Sequence, residues 1–135
     1  MRKVRTTKSG KAHQCNPAHY DYGSGSTKSQ WTPPDPAREF KLFEVADVNH
    51  WTDGGSDYWA VEVLDSAPSV VGVDRLIRDC RMVRFRKDAD TSPWHGYPIT
   101  LARKDEKFPV EILRIWTRGC VLGRAWLSKM KRRQL

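Results

Sequence analysis

Residues 40–64 read FKLFEVADVNHWTDGGSDYWAVEVL, the densest apolar patterning in the chain. At its centre, Thr52-Asp53-Gly54-Gly55-Ser56-Asp57 is a turn signal, because glycine reaches positive φ without steric cost. Beyond the turn, Trp59, Val61 and Val63 alternate with Ala60 and Glu62, the period of a half-buried strand. The stretch therefore predicts a β-hairpin over about 40–64. A helix opening at Asp35-Pro36 competes for its first arm, since Asp caps a helix and Pro suits the first turn.

Working outward, Val73, Leu76, Ile77 and Cys80 recur at i, i+3, i+4 and i+7 and predict a helix near 73–81. Residues 82–87 alternate, with Val83 and Phe85 on one side and Arg84 and Arg86 on the other, as in a short strand, with continuation of the preceding helix as the competitor. The run 88–98, DADTSPWHGYP, reads as a loop by its turn formers. A helix over 109–118 opens at Pro109, buries Val110, Leu113 and Trp116 or Thr117, and stops at Gly119. A second, over 121–133, carries Leu122, Ala125, Trp126 and Met130 on one stripe. The fold class is α+β: a short antiparallel sheet packed by two or three helices, the last two forming a C-terminal helical hairpin.

Residues 1–36 are poor in aliphatic side chains and hold Gly23-Ser24-Gly25-Ser26 and Pro33-Pro34-Asp35-Pro36. Such a segment buries too little apolar surface to offset its ordering entropy. It reads as a basic, flexible or irregular N-terminal arm, and residues 37–135 as a single α+β domain ending in a basic helix.

The formal net charge of +8 is segregated. Residues 1–38 hold seven Lys or Arg against Asp21 and Asp35; residues 39–117 hold eleven against fourteen carboxylates; residues 118–135 hold six and no carboxylate side chain. A polyanion would engage the two ends first. No apolar run approaches the ~20 residues that cross a bilayer, and no apolar region follows the basic start Met1-Arg2-Lys3-Val4-Arg5. Three scattered cysteines, Cys15, Cys80 and Cys120, suit reduced thiols rather than a disulfide framework. The expectation is a cytoplasmic protein with no membrane partner and no cofactor.

The C-terminal pair, with Gly119 at its turn, has the layout of a helix-turn-helix whose second helix offers cations to phosphates and base edges. Its nucleic-acid-binding residues are Arg118, Arg124, Lys129, Lys131, Arg132 and Arg133, joined by Arg2, Lys3 and Arg5 of the arm. Arg84 and Arg86 offer a second phosphate patch, or else pair with Asp74, Asp79, Asp88 and Asp90. Trp94 and Tyr97 are stacking surfaces for RNA bases, or pins that hold a loop. DNA or RNA is thus the expected partner, contacted without catalysis.

Two alternatives remain. Six tryptophans and an acidic centre suit a protein-binding accessory factor or inhibitor, with exposed aromatics as the anchor. A small metal-independent ribonuclease would use His95 as its acid or base, with His50, Glu62 or Glu111 as second group. His13, Cys15 and His19 form H-x-C-x3-H, but a structural zinc site needs a fourth ligand, so no metal is expected. Phosphate-loop, dinucleotide and nucleophile-elbow motifs are absent.

Overall fold

The computed structural model describes residues 3–20, 28–54 and 56–135. Among these residues the fold is α+β, with three helices and several small antiparallel sheets. In chain order they are β1 (Arg5–Thr6), β2 (Ala12–His13), a 3-10 turn (Pro17–His19), β3 (Gln30–Trp31), α1 (Pro36–Val48) and β4 (Tyr58–Ala60). Then come β5 (Val63–Leu64), β6 (Ala67–Pro68), β7 (Gly72–Val73), β8 (Asp79–Cys80), β9 (Met82–Arg86) and β10 (His95–Ile99). Helices α2 (Val110–Arg118) and α3 (Arg124–Lys131) close the chain and pack on each other as a helical hairpin.

The largest pairing is the antiparallel sheet β10-β9-β4, with His95 opposite Arg86, Tyr97 opposite Arg84, and Arg84 opposite Trp59. A second sheet, β3-β7-β8, lies against β10. Trp31 Nε1 donates to the Gly96 carbonyl at 3.3 Å, and a Cβ on Gly72 would collide with the Gln30 carbonyl and the Pro98 ring. That close approach explains why position 72 holds glycine.

The hairpin expected over 40–64 is corrected. Its first arm is helix α1, because Asp35 accepts the N–H groups of Ala37 and Arg38 and Pro36 pre-sets the first turn. The buried positions Glu39, Leu42, Phe43, Ala46 and Asp47 are helically spaced. Two are acids, so hydrophobicity alone hides the stripe. The turn itself survives: Thr52 bridges Tyr58, and Thr52 Oγ1 donates to the Asp57 carbonyl at 2.6 Å.

The helix expected near 73–81 is a tight β7–β8 hairpin. Asp74 Oδ1 accepts the N–H groups of Leu76 and Arg78, both at 2.9 Å, which gives the backbone a turn in place of a helix. Ile77 takes a φ of 59°, and Leu76 and Ile77, expected inside, are exposed. The loop expected over 88–98 ends at Trp94, and His95 begins β10. As β10 is an edge strand, Pro98 costs no ladder bond on its outer side.

Both C-terminal helices fall where expected, with Gly119 as the C-cap of α2. Their stripes differ in detail. Helix α2 buries Ile112 and Trp116 while Val110 is half exposed; α3 buries Leu127 and Met130 while Ala125 faces out.

One core gathers Trp31, Phe43, Trp59, Met82, Phe85, Leu101, Ile112 and Trp116, all fully buried. The described residues of the N-terminal segment supply Trp31, His13 and Cys15 to the interior. Residue 14 extends β2 toward Trp94: Gln14 N–H donates to the Trp94 carbonyl at 2.9 Å.

Candidate functional site

The C-terminal hairpin is the main concentration of unneutralised charge. Residues 112–135 contain seven Lys or Arg and no carboxylate side chain. Arg114, Arg118, Arg124, Lys129, Lys131 and Arg132 are exposed, and none makes an ion pair among the described residues. Lys129 lies over the half-buried Trp126 ring at 4.5 Å, and Arg81 is 5.2 Å from the same ring. Arg133 differs from its neighbours. Its Nη2 donates to the carbonyls of Arg103 and Glu106, which ties the chain end to the loop before α2.

Elsewhere six cations are held in ion pairs with carboxylates among the described residues. Arg38 pairs with Glu62 at 2.8 Å, Arg78 with Asp74 at 2.7 Å, Lys11 with Asp47 at 2.8 Å and Lys107 with Asp53 at 3.0 Å. Arg84, expected on a phosphate patch, is held most firmly. It contacts Asp57 at 2.6 Å and Glu106 at 3.1 Å, lies over Trp59, and its side chain is 14% exposed. None of the acids expected for Arg84 and Arg86 is its partner. Arg86 remains exposed. In the N-terminal segment Lys3 is exposed and Arg5 stacks over Phe40 at 5.9 Å, while Arg2 lies outside the described residues.

His95 sits on β10 opposite Arg86, with Nε2 3.3 Å from Asp88 Oδ1 and Nδ1 buried without a partner. His50, Glu62 and Glu111 share no hydrogen bond or ion pair with it. Its histidine neighbour is His19, stacked on Tyr97 at 5.3 Å, with Nδ1 2.8 Å from the Ser29 carbonyl. Burial pulls the His19 pKa down, and the nearby His95 adds to that. Trp94 is buried against Phe43 and Tyr58, so it pins the core and is not offered as a stacking surface.

A third constellation lies inside the molecule. His13 Nε2 and Glu39 Oε2 are 2.6 Å apart, both side chains being wholly buried. Glu39 also accepts the Tyr20 hydroxyl at 2.7 Å and the Gly96 N–H at 3.0 Å. Cys15 Sγ lies 3.6 Å from the Tyr20 hydroxyl, and burial, reinforced by Glu39, pushes this thiol up to about 12. The His13, Cys15 and Glu39 donor atoms all fall within 4.8 Å of one another. The H-x-C spacing was visible in sequence. Glu39 was not, because it lies 26 residues from His13 and only the tertiary fold brings the two together. His19 belongs to the other face and is not part of this group.

Two open grooves of about 300 and 290 Å³ flank α1, with Lys41 and Val45 lining both. Five tryptophans are buried and Trp126 is half-buried. The exposed large apolar side chains are aliphatic, among them Leu64, Leu76 and Ile77 at hairpin tips. Among the described residues no helix is long and apolar enough to cross a membrane. No family model, curated protein or solved structure matches the chain.

Proposed function

We propose that this protein associates with nucleic acid, without catalysing a reaction on it, through the exposed cations of the α2–α3 hairpin. One observation carries the reading. Carboxylates neutralise Arg38, Arg78 and Arg84 of the centre, whereas the cations of residues 112–135 have no carboxylate of their own. A surface that leaves six cations exposed in one hairpin whose one acidic side chain is Glu111, in the first turn of α2, attracts phosphates and releases their counterions on contact. Lys3 and Arg86 are exposed candidates for further contacts. Arg84 and Arg133 are not, since their donors are engaged within the fold. The accessory-factor reading loses its anchor, because no tryptophan among the described residues is exposed.

The test is fluorescence anisotropy with labelled single- and double-stranded DNA and RNA across a salt series. Log affinity falls linearly with log salt, at a slope of about 0.9 per duplex phosphate contacted or about 0.7 for single strands. Replacing Lys129, Lys131 and Arg132 together by Gln lowers that slope by up to about 3 on duplex. An absence of binding at physiological salt, or an unchanged slope in the variant, overturns the proposal.

A further inference from the structure

We propose that His13, Cys15 and Glu39 form a binding site for one divalent transition-metal ion of zinc type, which pins the N-terminal segment to α1. The three side chains come from two stretches that the fold brings together. His13 ends β2, and Cys15 follows two residues later on the segment held beside Trp94. Two-residue spacing on extended chain sends both side chains to one side. Glu39 reaches them from the first turn of α1.

The donor set has the right chemistry. Thiolate, imidazole and carboxylate are each zinc ligands, and a borderline-soft cation suits the mixture. A thiolate and a carboxylate beside a neutral imidazole carry two negative charges, which one divalent ion cancels. Among the described residues no Lys or Arg forms an ion pair with Glu39, whose side-chain neighbours are the His13 imidazole and the Tyr20 hydroxyl. A hydrogen-bonded His–Glu–Tyr group does not require sulfur, yet Cys15 is pressed against it at 3% exposure.

The geometry needs only small shifts. Bonds of about 2.0–2.3 Å in a tetrahedron place donors roughly 3.3–3.7 Å apart. The His13–Glu39 contact of 2.6 Å would open by less than about 1 Å, and the pairs that now reach up to 4.8 Å would close by about as much. The Tyr20 hydroxyl lies beside the group, 3.6 Å from Cys15 Sγ and 2.7 Å from Glu39 Oε1. Gly96 N–H holds Oε2, fixing the carboxylate as outer partners of metal ligands do. A structural ion also explains how a segment so poor in aliphatic residues becomes part of the core.

The experiment uses the full chain carrying Cys120→Ser, which removes the exposed thiol. Because the site is buried, the protein is unfolded and refolded with chelator, freed of it, and titrated with Co(II). The expected result is one equivalent of Co(II) bound, with thiolate-to-cobalt charge transfer and strong tetrahedral d–d absorption, both displaced by Zn(II). Adding Cys15→Ser should abolish the charge-transfer band, with near-ultraviolet circular dichroism reporting the fold. Glu39→Gln, nearly isosteric, should weaken Co(II) binding by more than about tenfold. A weak octahedral spectrum on the Cys120→Ser protein overturns the proposal, as does a charge-transfer band that persists without Cys15. Nucleic-acid binding is read separately on the same proteins, so either proposal can fail alone.

Discussion

Replacing Arg84 with Met separates a structural arginine from a phosphate-binding one. The guanidinium sits over Trp59 and donates to Asp57 from Nε at 2.6 Å and to Glu106 from Nη1 at 3.1 Å. The side chains of Arg84, Asp57 and Glu106 are 14%, 11% and 9% exposed. Methionine keeps much of the apolar stem but leaves two nearly buried carboxylates without their cation. Breaking such a pair costs about 3–5 kcal/mol, and the residual solvent contact favours the lower end. At about 3 kcal/mol, and a urea dependence of ~1.5–3 kcal/mol/M, the unfolding midpoint falls by about 1–2 M. Tryptophan fluorescence follows the transition, since Trp59 lies under the guanidinium. Arg86→Gln, on an exposed neighbour, should change stability by less than ~0.5 kcal/mol. Arg84→Met should leave the salt slope of nucleic-acid binding unchanged. A midpoint that moves by less than ~0.3 M together with lost nucleic-acid affinity would refute the structural assignment.

Gly72→Ala should be among the most damaging single changes, because the new Cβ meets the Gln30 backbone carbonyl and the Pro98 ring. A loss of at least about 3 kcal/mol is expected, the top of the overpacking range, and soluble yield with thermal melting checks it. Thiol titration of the native protein should label Cys120 rapidly, with Cys15 and Cys80 reacting only on unfolding; burial pushes the Cys80 thiol up to about 12. Fast native labelling of two thiols would contradict the packing. Burial works to raise the Asp74 carboxyl, but hydrogen bonds from Arg78 and Leu76 outweigh it and hold its pKa below the ordinary value. Its stabilisation is therefore complete above the unfolded value of ~3.9 and lost as pH falls through the lower folded value. Asp74→Asn should flatten that acid limb of the stability curve, and an unaltered limb in pH-dependent urea unfolding would count against this reading.

Local chemistry was enough wherever one segment settles its own conformation. The Asp53-Gly54 reversal, strand β9 and the α2–α3 hairpin with its Gly119 stop were legible, because glycine, proline and short-period patterning act over a few residues. The cationic C-terminus, without acidic side chains over 112–135, is likewise a property of the sequence, and among the described residues none of its cations makes an ion pair. Tertiary structure decided the rest. Helix α1 buries Glu39 and Asp47, so its inner face does not read as apolar until partners for those carboxylates exist: His13 and Tyr20 for one, Lys11 and Ser9 for the other. Helical spacing over 73–81 is the exception, a local misreading: Asp74 competes for the N–H groups two and four residues on that a helix would use. Arg84 looked available until Asp57 and Glu106 arrived from 27 and 22 residues away. Burying a charge or a polar group is favourable only when its partner is present, and contacts between residues distant in sequence supply that partner only after the chain has folded.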